Sequence, residues 1–91
     1  MPGPQSDVRI YGMSELTTEL FNQVFQELQR ARQLHRQFNS PHEGYAVILE
    51  ELEELWAEVK KRKELRSREV MRKEAVQVAA MAVRFIYDLG Y

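Results

Sequence analysis

The sequence predicts an all-α fold: three main helices in one domain, with the second and third packed as an antiparallel pair. Three observations carry this. Apolar residues recur at helical spacing in three separate stretches. A serine stands where each stretch begins, at Ser14, Ser40 and Ser67, placed to cap a helix. The helix breakers Pro2, Gly3, Pro4 and Gly12 gather in the first dozen residues. A chain of 91 residues sits within the range of a single domain.

Residues 1–13 read as an N-terminal arm, with room for a short extended piece at 8–11. The first helix is predicted at about 14–38. Glu15 and Glu19 suit the positive end of its dipole, and Leu16, Leu20, Val24, Leu28 and Ala31 form its apolar stripe, flanked by Phe21 and Phe25. The second helix is predicted at about 41–62. Its start is "SPHE": serine at the N-cap, proline where its missing N–H costs nothing, and glutamate in position to complete a capping box. Its apolar side chains, Tyr45, Ile48, Leu49, Leu52, Leu55, Trp56 and Val59, fall within about 120° of one another. The third helix is predicted at about 68–88. It is apolar around much of its circumference and rich in alanine, which predicts a central, largely buried helix that ends at Gly90.

Three helices leave one face of such a central helix uncovered, and a chain this short is marginal alone. The expectation is a homodimer, or a dimer of dimers, that buries Trp56 or residues of the third helix. There is no cysteine, which removes disulfide and thiolate chemistry. No apolar run reaches transmembrane length, and the first residues lack the layout of a signal peptide. A soluble, cytoplasmic protein with no membrane partner is expected.

The net charge of −1 hides a division. Residues 1–59 hold ten acids and four bases, whereas residues 60–73 hold eight bases and two acids. The basic run reads as a turn between helices or as a phosphate contact. Nucleic acid is an unsuited partner, because the run lacks interleaved aromatics and the acidic remainder would repel a long polyanion. His42 lies within the capping sequence and His35 near the end of the first helix, so both read as local structure.

Five glutamates crowd positions 50–58. Glu51, Glu54 and Glu58 follow Val47 at +4, +3, +4, a stripe beside the apolar one, while Glu50 and Glu53 project elsewhere and read as solvated. The third helix repeats that spacing with Val70, Glu74, Gln77 and Met81. An ionised glutamate within an apolar helix is costly unless it is paired or bound to a metal. Antiparallel packing of the two helices would let Glu51/Glu54 face Glu74/Gln77. Three carboxylates and an amide oxygen make a hard donor set, suited to Mg²⁺ or Mn²⁺.

These two elements resemble the MazG-like all-α nucleoside triphosphate pyrophosphohydrolases, whose signature is an E-x-x-E pair on one helix and an E-x-x-D pair on the next. "EELEEL" supplies Glu51 and Glu54; "KEAVQVAAMA" supplies Glu74, with Gln77 in place of the aspartate, after an interval of 19 residues. The resemblance covers about residues 40–89. It implies Mg²⁺ held by Glu51, Glu54, Glu74 and Gln77, the three acids serving catalysis, and cleavage of a nucleoside triphosphate to a monophosphate and pyrophosphate. Lys60 and Lys61, with Arg84, are the candidates for the triphosphate. Gln77 brings no charge, and Asp88, roughly 16 Å along the helix, cannot replace it. The alternative is a non-catalytic helical assembly module on the same scaffold, with a degenerate metal site.

Overall fold

The computed structural model describes residues 14–91. The expected arm at 1–13 lies outside the described residues. Three helices follow in order: α1, Glu15–Leu34; α2, Pro41–Val59; and α3, Arg68–Leu89, with a 3-10 turn at Lys63–Leu65 before the last. The fold is an all-α three-helix bundle.

The serine caps form as the sequence predicts. Ser14 accepts from Thr17 N, Ser40 from Glu43 N and Ser67 from Val70 N. The second half of the expected capping box differs. Glu43 accepts from the N–H of Asn39, one residue before the cap, at 2.6 Å, and holds Arg36 with both oxygens. Gly90 ends α3 in the left-handed region, at φ 75°. No basic residue occupies the last turn of α2. Arg66 serves that end from across the turn, donating to the carbonyls of Val59 and Lys61.

α3 is central. Gly44, early in α2, abuts Phe85, late in α3, so these two helices run antiparallel. α1 meets α3 on its other flank through Gln23–Arg72, Glu27–Gln77 and Arg32–Asp88, a rising series that makes them parallel. α1 and α2 barely meet. The three helices therefore form a layer in the order α1–α3–α2, only 18 Å through its thinnest dimension. The radius of gyration, 15.5 Å, exceeds the roughly 12 Å of a compact chain of this length.

The core is correspondingly small. Leu28, Phe38, Val76, Ala80 and Met81 are its buried apolar residues. The expectation of a largely buried third helix is corrected: Val76, Ala80, Met81 and Arg84 are buried, but Ala75, Ala82, Val83, Ile86 and Tyr87 are exposed. The layer covers two flanks of α3 and leaves a back. Trp56 lies outside the core of the single chain, 58% exposed.

The first helix ends at Leu34, four residues earlier than predicted. Tertiary bonds claim the backbone that would have continued it. Arg84 donates to the carbonyl of Arg36, and the N–H of Phe38 donates to Asp88. Phe38 turns inward beneath the Arg84 guanidinium, 4.1 Å from its ring centroid. Gly44 permits this close approach of α2. A Cβ there would lie 2.5 Å from the Phe85 ring and 3.2 Å from Phe38. In a free helix Gly→Ala stabilises by about 0.5–1 kcal/mol. Here Phe85 is also packed against Tyr91, so overpacking dominates. Gly44→Ala is expected to cost about 1–2 kcal/mol net, read as a fall in melting temperature of roughly 5–15 °C. A rise would show that Phe85 gives way freely.

Candidate metal centre

The open side of the layer holds a cleft of about 370 Å³, walled by α1 and α2 and floored by α3. Val47, Glu50 and Glu51 come from α2, Glu27, Arg30 and Leu34 from α1, and Gln77, Met81 and Arg84 from α3; His35, Arg36 and Phe38 close the end where α1 joins α2.

Glu50 and Glu51 line the cleft, whereas Glu54 and Glu74 lie outside its lining. Glu50, Glu51 and Glu54 bring oxygen atoms within 4.8 Å of one another. Burial pushes the Glu51 carboxyl above its ordinary value, and the charges of Glu54, Glu74, Glu50 and Glu27 push it further the same way. Acids from all three helices thus act on one carboxylate. Among the described residues, no ion pair reaches Glu50, Glu51, Glu54 or Glu74. The negative charge of these four acids is balanced by no direct ion pair among the described residues, and Arg30 engages Glu27 alone.

Two of these acids were not singled out by the sequence. Glu50, expected to project into solvent, is exposed but turns its carboxylate into the cluster. Its side chain is long enough to reach back from the edge of the stripe. Glu27 lies on α1, a helix that carries no motif. It sits opposite Gln77, whose amide nitrogen donates to Glu27 Oε1. Glu27 also pairs with Arg30 at 3.3 Å. The signal in the sequence was its position within the α1 apolar stripe, between the directions of Leu16 and Leu20, where an acid is out of place.

The three expected phosphate contacts are dispersed. Lys60 is the C-cap residue of α2, and Lys61 pairs with Glu58 at 2.9 Å; neither lines the cleft. Arg84 does line it, but is 4% exposed and committed to its own chain. It donates to Asp88 at 3.0 Å and to the carbonyl of Arg36 at 2.8 Å. Arg30, on the α1 wall, and Arg36, at the closed end, are more exposed but paired with Glu27 and Glu43. His35 lies at its rim, and His42 is exposed on the first turn of α2.

This arrangement can hold a hard divalent cation between carboxylates, with arginines nearby for an anion. No helix of the described residues is long and apolar enough to cross a membrane. No protein-family model matches the chain, and neither does any curated protein or solved structure.

Proposed function

We propose that the cleft is the active site of a Mg²⁺-dependent nucleoside triphosphate pyrophosphohydrolase, one that takes a nucleoside triphosphate and water to a monophosphate and pyrophosphate. The observation that supports this reading is the convergence of acids from three helices on Glu51; among the described residues Arg30 pairs with Glu27, but no ion pair reaches Glu50, Glu51, Glu54 or Glu74. Like charges are gathered at a cost to the fold, and a divalent cation is the species that repays it. The resemblance of Glu51, Glu54 and Glu74 to the MazG-like pattern names the reaction.

Under this proposal Glu50, Glu51 and Glu54, whose oxygens gather, would hold Mg²⁺ or Mn²⁺, Glu74, outside that group, would join them from α3, and the Gln77 amide, fixed by Glu27, completes the wall. Bound Mg²⁺ supplies charge neutralisation at the phosphate oxygens. A carboxylate of the cluster not fully committed to the metal, Glu51 being the candidate within the cleft, would accept the proton of the attacking water. The water oxygen bonds to the α-phosphorus, the bond to the bridging oxygen breaks, and pyrophosphate leaves with that electron pair. Arg30, which lines the cleft, would meet the outgoing charge.

Pyrophosphate release from a panel of ribo- and deoxyribonucleoside triphosphates tests this, with Mg²⁺, with Mn²⁺ and with EDTA. Release with matching monophosphate, abolished by EDTA, is expected. Glu54→Gln and Glu74→Gln should each lower turnover by about 10²-fold or more while the helical circular-dichroism signal persists. If both variants turn over normally, the assignment of the metal ligands is wrong.

Gln77 favours a second reading, a helical assembly module without catalysis. Its amide is bonded to Glu27 and brings no charge to the site. Under that reading Mg²⁺ leaves the melting temperature unchanged. Under the first, Mg²⁺ at ten times its Kd stabilises by about 1.4 kcal/mol.

A further inference from the structure

We propose that the back of the helical layer, the side turned away from the cleft, is the seat of a second copy of this chain, joined across a two-fold axis. Two stripes mark that side. On α2, Tyr45, Leu49, Leu52 and Trp56 follow one another at +4, +3, +4, about half a turn round from the cleft residues Val47, Glu50 and Glu51. On α3, Ala75, Ala79, Ala82 and Ile86 have the same spacing, again about half a turn from Gln77, Met81 and Arg84. Both stripes therefore share one face. That spacing is the seam of helices that pack at a shallow angle.

The face is free of charge along both stripes. Its large side chains are open to water: Tyr45 at 62%, Leu52 at 47%, Trp56 at 58% and Ile86 at 54%. With Leu49, Val83 and the alanines they present roughly 700 Å², close to the ~800 Å² that one partner gives to a standard interface. A lone layer cannot enclose a core, since stable domains set one layer on another. No large side chain among the described residues is fully enclosed here.

The occupant is argued from shape. α2 offers a ridge of large residues and α3, beside it, a groove of small ones. An isologous contact needs a patch that complements itself. A two-fold rotation sets the ridge of each copy against the groove of the other. The first 13 residues of the chain bring too few apolar side chains to cover both stripes, with Val8, Ile10, Tyr11 and Met13 the main ones. The cleft lies on the opposite side, so both clefts stay open. The proposal is independent of the chemistry in that cleft.

Sedimentation equilibrium of the full chain tests it, together with iodide quenching of Trp56, the one tryptophan in the chain. Twice the chain mass is expected, with quenching that falls at least about 3-fold from dilute to concentrated protein as the ring is desolvated. Leu52→Glu and Ala82→Glu should each raise the dimer Kd at least about 30-fold. Arg30→Ala, on the cleft wall, should leave it unchanged. A monomer at all concentrations overturns the proposal, whether or not Trp56 is shielded. A dimer that ignores both back-face variants overturns it too. If both variants fail to fold, the quenching of the unaltered chain decides: protection that grows with concentration supports the two-fold contact, and constant quenching overturns it.

Discussion

Glu51→Gln is expected to stabilise the metal-free protein and to silence it. The two effects have one cause. Glu51 is held among four other carboxylates and partly removed from water, and both conditions raise its pKa above the ordinary 4.5. The folded chain therefore binds this proton more firmly than the unfolded chain does. Stability falls as pH rises from the ordinary value through the raised one, and above it the full cost of the ionised group stands. An uncharged isostere removes that cost, about 0.5–1 kcal/mol for a few like-charge neighbours, or roughly 2–6 °C in melting temperature. The gain should be present at pH 7 and vanish below about pH 4, where the wild-type carboxyl is itself neutral. Glu43 titrates oppositely. Its N–H bond from Asn39, and then Arg36, hold its pKa below the ordinary range, a stabilisation lost in acid. Both proteins carry that loss, so it cancels in their difference. Turnover should fall by at least about 10²-fold. A variant that melts lower than wild type at neutral pH, without metal, would show that Glu51 supports the fold instead of straining it.

Arg84→Met should cost the most stability of any single change, about 3–5 kcal/mol against a typical total of 5–15. Its guanidinium bonds Asp88, caps the Arg36 carbonyl and covers the Phe38 ring. The Asp88 side chain is 1% exposed. Without Arg84 it keeps the Phe38 N–H, at 3.2 Å, and Arg32, at 3.5 Å, as its polar neighbours. A buried carboxylate stripped of its closest cation carries most of the loss. Urea denaturation of Arg84→Met, Asp88→Asn and the double variant measures it, and the double should lose clearly less than the singles together. A loss below about 1 kcal/mol for Arg84→Met would mean that the knot does not hold the linker. The same commitments leave Arg30, held by Glu27 alone, as the freer candidate for a phosphate, since Arg36 is engaged by both oxygens of Glu43.

Local signals in the sequence were legible. Ser14, Ser40 and Ser67 cap as read because an N-cap needs only its own next three residues. Gly90 is equally local. What escaped reading depends on partners about fifty residues away. The end of α1 at Leu34 is decided by Arg84 and Asp88, and Phe38 is buried because they draw it in. Helical spacing and antiparallel packing put Glu54 and Glu74 near enough to act on the Glu51 carboxyl, but it is Glu50, not Glu74, that gathers with Glu51 and Glu54. Glu27 could join only once α1 was laid beside α3, a placement no motif on α1 announces. Alanine content marked α3 as central but not which sides its neighbours would leave bare, because periodicity gives a stripe and not its cover.

The near-absence of contact between α1 and α2 has a consequence for how the chain comes to be folded. Both helices find their tertiary partners on α3, which is made after them. During synthesis the first two helices emerge with nothing to dock on, each a marginal structure in water. The linker between them is fastened by residues 48 and 50 positions downstream. Closing such a loop is entropically costly until α3 exists to reward it. Folding is therefore deferred until α3 has been made, and until then the apolar faces of α1 and α2 stay open to water.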